Sequence, residues 1–431
     1  MIDLFIKKIN EVFVQIETSN NAINKELWKY FSIYVEKWMY MRKKNPRLYN
    51  WDGTIKLYNL KESKIYYSLL PEVCDFAKER KYTISISDDI KKDYKYTGKD
   101  LNSFIKDINE QLPYELRDYQ INAFKTAIQK KRCIIISPTA SGKSLIIYII
   151  CKYLLDNKLV NKILIITPVT SLVEQLNFDF KEYGNTYPVH VIYGGKEKVS
   201  EKCIYISTWQ SIHEFKIDYF KEFDCVLQDE AHTGVNTNPK ESKAIKSILE
   251  NCINAKYRIG LTGTLRQTKD KLLPVIGLLG ETYKAISTRE LMDLNHISNL
   301  KINIIKLKYT DVECQSRRKY KDWHEEISFI EEHYTRNIFI VKFINNLKKN
   351  TLILFRHRNH GKFIYKQLLQ ISKNKVEYID GETPVEDREA TRNILFFFSI
   401  LFLISSLSST GVSPSIYSTL FLLICNNCLY I

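Results

Sequence analysis

Apolar and polar positions divide the chain into stretches of different period. In residues 1–100 the pattern is mixed. Val12, Val14 and Ile16 alternate as on a half-buried strand, and so do Ile33, Val35 and Met39. Residues 71–81 read as a short helix with a strand after it at 82–86, so a small α/β domain is predicted here. From about residue 112 the text changes to short apolar runs, at 133–136, 162–166, 203–206, 225–227 and 259–261, separated by helical segments. Continuous apolar runs of this kind predict parallel strands covered on both faces, the sequence form of a doubly wound α/β domain. A second series follows: strand 302–309, helix 336–347, strand 351–355, helix 359–371 and strand 376–379.

At 431 residues the chain is too long for one compact domain, and two or three are expected. A formal charge of +15 predicts attraction to polyanions, with nucleic acid and anionic membrane as the two classes. Part of that charge is clustered: Arg42, Lys43, Lys44, Arg47, Lys56, Lys61 and Lys64 stand against only Asp52 and Glu62. Residues 88–99 are polar with both signs of charge and read as a linker. Nine scattered cysteines suit free thiols in a reducing compartment. The first residues lack the order of a signal peptide, so a cytosolic setting is expected. Residues 396–431 carry no Asp, Glu, Lys or Arg. The apolar run at 396–407 is shorter than the roughly 20 residues of a membrane-spanning helix, and no membrane partner is expected. The abrupt change of text reads as out-of-frame translation or a truncated gene. Cys425 and Cys428 form a lone C-x-x-C, read as accidental and not as a zinc site.

Two motifs carry chemistry. Ser137-Pro138-Thr139-Ala140-Ser141-Gly142-Lys143-Ser144 follows an apolar strand and opens an apolar helix, the context a phosphate-binding loop requires. Gly142 allows close backbone approach, Lys143 reaches the β- and γ-phosphates, and the Ser144 hydroxyl binds Mg²⁺. Ser137 stands where the general pattern has Gly. Asp229-Glu230-Ala231-His232 directly follows the strand at 225–227. A carboxylate at that end of a parallel strand faces the same crevice as the phosphate loop. Asp229 is expected to hold Mg²⁺, Glu230 to orient and deprotonate water, and His232 to relay nucleotide state.

In this order the blocks resemble the superfamily 2 helicases of the DEAH-type, RecG-like and restriction-motor group. Leu116-Arg117-Asp118-Tyr119-Gln120 resembles the element whose Gln recognises adenine, and implies that role for Gln120, with Arg117 beside it. Thr167-Pro168-Val169 with Leu172, Glu174 and Gln175 resembles the motif that grips one strand. Tyr193-Gly194-Gly195 and Ser207-Thr208-Trp209-Gln210-Ser211 resemble the next two strand-contacting motifs. Thr262, Gly263 and Thr264 lie in a segment resembling the motif that couples hydrolysis to movement. Asn50-Trp51-Asp52-Gly53-Thr54 is similar to the W-D-G element of the phage UvsW family, which places a small DNA-binding domain before its motor. Asp52-Gly53 also suits a tight turn between two strands. Trp51 reads as a core residue or, as the resemblance implies, as one that stacks on a base while Lys43, Lys44, Arg47 and Lys56 meet phosphates.

Further on, residues 352–358, with Arg356, resemble the fourth motif, and Tyr378-Ile379-Asp380-Gly381 with Arg388 the segment after it. Ser409-Thr410-Gly411-Val412 reads as a remnant of the fifth. The sixth, which supplies an arginine finger, is missing, and Gln228 stands where the family has an apolar residue.

The expected fold is therefore α/β: an accessory domain (1–98), a RecA-like ATP-binding domain (110–290), an incomplete second RecA-like domain (300–395) and an uncharged tail (396–431). The expected function is ATP- and Mg²⁺-dependent unwinding or translocation on branched or forked DNA, with fork regression, branch migration or R-loop unwinding as tasks in repair and recombination. Loss of the arginine finger predicts impaired turnover. The rivals are a catalytically dead ATP- and DNA-binding module and the motor of a restriction system.

Overall fold

A computed structural model describes residues 2–93, 101–193, 203–235, 239–265, 268–298, 302–317, 323–347, 351–384, 400–405, 419–425 and 428–430. The chain divides into two compact units, Met1–Ile297 and Ser298–Ile431.

The first unit opens with β1 (Leu4–Lys8), β2 (Phe13–Thr18), α1 (Asn21–Tyr30), β3 (Ser32–Tyr34), α2 (Trp38–Lys44), β4 (Thr54–Lys56), β5 (Tyr58–Asn59), β6 (Lys64–Tyr66), α3 (Leu70–Arg80) and β7 (Ile84–Ile86). The order β5-β6-β2-β1-β7 makes a five-stranded sheet, and β3 pairs with β4 beside it. Val14 and Ile16 are buried as their alternation requires. The alternation through Met39 misleads, because β3 ends at Tyr34 and Met39 lies on α2 with its side chain 62% exposed. Asp52-Gly53 is likewise not a two-residue hairpin turn, since α2 intervenes between β3 and β4. Gly53 adopts φ +78° and lies so close to the Trp38 ring that a Cβ would collide with it. Of the expected linker, residues 88–93 form α4 (Asp88–Asp93), and residues 94–100 lie outside the described residues.

Next come α5 (Leu101–Gln111), α6 (Asp118–Lys130), β8 (Arg132–Ile136), α7 (Lys143–Asp156), β9 (Ile163–Thr167), α8 (Thr170–Glu182), β10 (Val189–Ile192), β11 (Ile204–Thr208), α9 (Trp209–Ile212), α10 (Ile217–Phe220), β12 (Cys225–Asp229), α11 (Pro239–Asn251), β13 (Tyr257–Thr262), α12 (Lys269–Leu279), β14 (Glu281–Lys284) and α13 (Thr288–Asp293). Seven strands in the order β10-β11-β9-β12-β13-β8-β14 pair in parallel throughout. The apolar runs are explained by burial on both faces. Ile135, Ile165, Leu227 and Ile259 point into a core with α5 to α8. Ile134, Leu164 and Val226 point into the opposite core, which holds α11 and α12 and is continuous with Leu4, Val14 and Ile65 of the accessory sheet and Phe76 of α3. Polar ties reinforce that shared core: the Glu11 N–H donates to the Ile253 carbonyl at 3.0 Å, Tyr66 donates to Glu250 at 2.7 Å, and Arg132 pairs with Glu11.

The second unit contains β15 (Ile302–Lys308), α14 (Asp311–Arg317), α15 (Trp323–Glu332), α16 (Tyr334–Asn345), β16 (Thr351–Phe355), α17 (Arg358–Ile371), β17 (Lys375–Ile379), β18 (Ile400–Ser405), β19 (Thr419–Cys425) and β20 (Cys428–Tyr430). Its sheet has the order β15-β19-β20-β16-β18-β17. Here the structure departs from an appended tail, because three of its strands belong to the sheet. β18 pairs in parallel with both β16 and β17, and a central strand of that kind requires the uncharged, apolar text seen there. The sheet is mixed, because β19 pairs antiparallel with β15 and β20, and Cys425 opposes Cys428 across that second pair. Among the described residues, no helix is long and apolar enough to cross a membrane.

Candidate nucleotide and nucleic-acid sites

β8 ends at Ile136, and the loop to α7 carries two left-handed residues, Ala140 (φ +64°) and Gly142 (φ +78°). Glycine adopts this conformation freely, whereas an L-residue such as Ala140 loses about 1–2 kcal/mol by it. The loop is tied from within. The Ser137 N–H donates to the Thr262 carbonyl at 2.8 Å, the Ser137 hydroxyl to Ser141 Oγ at 2.6 Å, and the Ser141 hydroxyl to the Pro138 carbonyl at 2.6 Å. Pro138 is buried, while Thr139 and Ala140 form the exposed crest.

From outside, the Ser141 carbonyl accepts both the Tyr119 hydroxyl and the Gln120 amide, each at 2.9 Å. Gln120 Oε1 in turn accepts the Arg117 N–H at 3.0 Å, and the Arg117 guanidinium donates to Tyr119 at 3.0 Å. Arg117 and Gln120 are thus brought to the phosphate loop. Tyr119 is a third member that the sequence reading left out. The Ser144 hydroxyl lies 3.0 Å from that of Tyr183.

β12 delivers the acidic group beside this loop. Lys143 Nζ lies 2.6 Å from Glu230 Oε1, and the Glu230 N–H donates to Asp229 Oδ1 at 3.0 Å. Glu230 is left-handed too, at φ +52°. Strained backbone therefore sits on both sides of the crevice, as it often does at ligand sites. His232 Nδ1 is 3.2 Å from Glu230 Oε2 and 2.9 Å from Thr262 Oγ1. The Thr262 proton goes to the Thr264 carbonyl at 2.8 Å, so Thr262 accepts from His232 Nδ1–H. A Cβ built on Gly263 would lie 3.9 Å from Lys143 Nζ, which places the 262–264 loop against the phosphate loop. Lys143, Glu230, His232 and Thr262 form one continuous polar chain.

The two carboxylates are driven apart in acidity. Burial, and then the charge of Glu230, push Asp229 up to about 6. Burial works the same way on Glu230, but hydrogen bonds and charge from His232 and Lys143 overcome it and hold this carboxyl at about 2. Asp229 is consequently a half-buried carboxylate in want of a cation, with one oxygen accepting only a backbone N–H. An oxygen donor of this kind, like the Ser144 hydroxyl in the first turn of α7, suits a hard divalent cation such as Mg²⁺.

The expected nucleic-acid residues are less uniform. Lys43 on α2 and Arg47 after it are exposed; Lys44 ends α2, and its side chain lies outside the described residues. Trp51 is half-buried and donates its indole N–H to the Thr54 carbonyl at 3.0 Å, so it holds the loop before β4. Lys56 is engaged by Asp52 at 2.8 Å and lies 5.2 Å over the Trp28 ring. The exposed aromatic surface near α2 belongs instead to Tyr34, Tyr40 and Tyr49, which the sequence reading passed over. Their signal was available: apolar rings interleaved with Arg42, Lys43 and Arg47.

Pro168 and Gln210 come together, the Gln210 amide donating to the Pro168 carbonyl at 3.4 Å. Thr208 corrects the expectation, since its side chain is 3% exposed and bonded to Ser211 at 2.9 Å. Burial at the end of β11 leaves Gln210 as the side chain offered outward. Gly194, Gly195, Arg388 and residues 409–412 lie outside the described residues. In the second unit Arg356 is exposed at the mouth of a cleft of about 890 Å³ lined also by His357, Asn359 and Phe363. Arg358 bridges to Asp380 at 2.9 and 2.8 Å, joining the fourth-motif segment to the one after it.

The strand order of the first unit, with these loops gathered at the carboxyl edge of the sheet, is that of a RecA-like motor domain. The chain is similar to the superfamily 2 helicases, a class of ATP-dependent enzymes. A family model for the type III restriction enzyme res subunit matches residues 113–267. Within the superfamily the chain is UvsW-like. It is 29% identical to the ATP-dependent DNA helicase UvsW of Enterobacteria phage T4 over 418 residues, which is 93% of this chain and 80% of that protein. The crystal structure of T4 UvsW matches with a TM-score of 0.58 at 26% identity, covering 96% of this chain and 82% of that one. The DNA 3'-5' translocase XPB2 of Sulfurisphaera tokodaii is 29% identical over 215 residues, 48% of this chain and 45% of that protein.

Proposed function

We propose that the chain is an ATP-driven DNA motor that remodels branched or forked DNA, by fork regression, branch migration or R-loop unwinding. The observation that carries this reading is the 2.6 Å pair between Lys143 and Glu230, which joins the phosphate loop to the acidic motif. Phosphate competes for Lys143 as a stronger partner. As Lys143 turns to the phosphates, Glu230 loses one of the groups that hold its acidity low. Its affinity for a proton rises, and it becomes able to orient and deprotonate water. Ser144 and Asp229 would hold Mg²⁺, which supplies charge neutralisation on the phosphate oxygens. His232 shares its Nδ1 between Glu230 and Thr262, so the change at Glu230 reaches the 262–264 loop.

DNA is the favoured polymer because an exposed basic and aromatic surface adjoins α2 and the T4 relative is a DNA helicase by name. Lys43 and Arg47 are assigned to phosphates, and Gln210 with the Pro168 segment to the tracked strand. The test is ATP hydrolysis with and without forked DNA, on this chain and on Lys143→Ala. DNA-stimulated turnover that is lost in the variant is the expected result. Nucleotide binding without turnover would reject an active helicase and leave a binding module.

A further inference from the structure

Trp209 follows Thr208 and precedes Gln210, yet it points inward and is 7% exposed. Its indole hydrogen bonds to the Glu241 carboxylate in the first turn of α11. Glu241 is half-buried and lies within electrostatic reach of His232. One carboxylate thus touches the helical turn that bears Gln210 and lies within electrostatic range of the imidazole that belongs to the nucleotide site.

Coupling between two sites needs an element with two arrangements that both sites bias. His232 is such an element. Its Nδ1–H has two acceptors in reach, Glu230 Oε2 at 3.2 Å and Thr262 Oγ1 at 2.9 Å. A small rotation of the ring moves the hydrogen bond from one to the other. A negative charge within electrostatic range of the ring biases that rotation, and Trp209 holds the charge by a hydrogen bond.

We propose that Glu241 is a positioning residue that couples strand binding at α9 to the nucleotide site through Trp209 and His232. A strand that moves Gln210 moves α9, α9 carries Trp209, and Trp209 carries the Glu241 carboxylate relative to His232. The direction also runs in reverse. A nucleotide that draws Lys143 from Glu230 changes what His232 can bond, and so changes the affinity for DNA. Reciprocity of this kind is required of any binding linkage. The proposal rests on the motor reading above.

The experiment uses the full chain and forked DNA carrying a fluorophore. DNA affinity is measured by anisotropy with and without a non-hydrolysable ATP analogue plus Mg²⁺, and the ratio of the two is the coupling. Glu241→Gln keeps an oxygen for Trp209 and removes the charge. It is expected to leave DNA affinity without nucleotide within about twofold of wild type, while the ratio falls to about one from a value typical of linked sites, roughly 5–150. Trp209→Phe, which keeps a ring and removes the donor, is expected to reduce the ratio as well. A Glu241→Gln variant with the wild-type ratio overturns the proposal. So does a variant whose melting temperature and both affinities fall together, because that is the mark of a packing role. If wild type binds neither DNA nor nucleotide, the motor reading falls and the coupling with it. If wild type couples and Glu241→Gln couples equally, Glu241 alone is rejected.

Discussion

Gln228 offers a substitution that should stabilise the protein. It is 1% exposed on β12, flanked by Gly260 of β13 and Ile166 of β9, and neither its amide oxygen nor its nitrogen has a hydrogen-bond partner. Strand alternation points it to the same face as Val226, into the core shared with the accessory sheet. A buried amide without partners costs about 1–3 kcal/mol in proteins. Leucine at this position removes that cost and adds up to about 1 kcal/mol of apolar burial, offset by a similar amount of imperfect packing. Gln228→Leu should therefore gain about 2 kcal/mol, or about 4 °C in melting temperature at roughly 2 °C per kcal/mol for a unit of this size. Thermal melts and urea titrations of the two proteins measure it, with an unchanged urea slope showing that only stability has moved. A variant melting at or below the wild-type temperature would refute the reasoning, because it would mean that the amide has partners or that leucine does not fit. If stability rises while ATP hydrolysis is lost, the amide is kept for function beside Asp229.

Arg258 is the opposite case. It is 1% exposed at the start of β13 and donates to three carbonyls, Leu278 at 2.8 Å, Cys252 at 3.0 Å and Leu249 at 2.7 Å. Those carbonyls lie at the ends of α11 and α12, where a cation is also favoured by the helix dipoles. Arg258→Met should lose about 3–5 kcal/mol by urea titration. Arg258→Lys, which cannot reach all three, should fall between; equal stability of all three proteins would reject the capping role. For pH, Asp229 lies at about 6, and its raised value means that the ionised form is the disfavoured one. Its contribution to stability is thus fully present below the ordinary value of 3.8 and lost as pH rises through about 6. Magnesium requires the ionised form, so the Mg²⁺ concentration for half-maximal nucleotide binding should rise roughly tenfold per pH unit below 6 and be flat above it. A fluorescent nucleotide titrated at several pH values reads this directly, and a profile flat down to pH 5 would contradict it.

The parts legible in the sequence are those fixed by local chemistry. A phosphate loop must follow a strand and open a helix, and Ser137 to Ser144 could be read in that context alone. The central strands were legible because burial on both faces leaves an unbroken apolar run, as in 133–136 and 225–227. What escaped was set by distant partners. Met39 alternates with Ile33 and Val35, but Trp38 packs beneath Gly53 and the chain turns helical instead. Trp51 could be read as core or as a stacking platform, and its N–H bond to the Thr54 carbonyl depends on a turn the sequence does not display. Nothing near Thr208 in the sequence shows that β11 ends with its side chain buried. The run at 400–405 carries the signal of a central strand, which its uncharged surroundings disguised.

The two edges of the seven-stranded sheet are built on different terms. At the carboxyl edge stand two non-glycine residues in left-handed backbone, Ala140 and Glu230, and two adjacent carboxylates of which one is half-buried and disfavoured in its ionised form. The unpaired amide of Gln228 lies next to them. Each of these raises the free energy of the fold, and each lies within a few residues of a proposed ligand group. At the amino edge the charged groups are paired. Arg258 closes two helix ends, Arg132 at the start of β8 pairs with Glu11, and Asp224 before β12 accepts the Asn161 N–H at 2.7 Å. A sheet anchored at one edge and strained at the other concentrates its response to ligands in the strained loops. The accessory sheet shares a core with the motor sheet on the side that leads away from those loops. Its polar ties to the motor are made by Glu11, Tyr66 and Arg132, away from the 137–142, 229–232 and 262–264 loops, where binding must be felt.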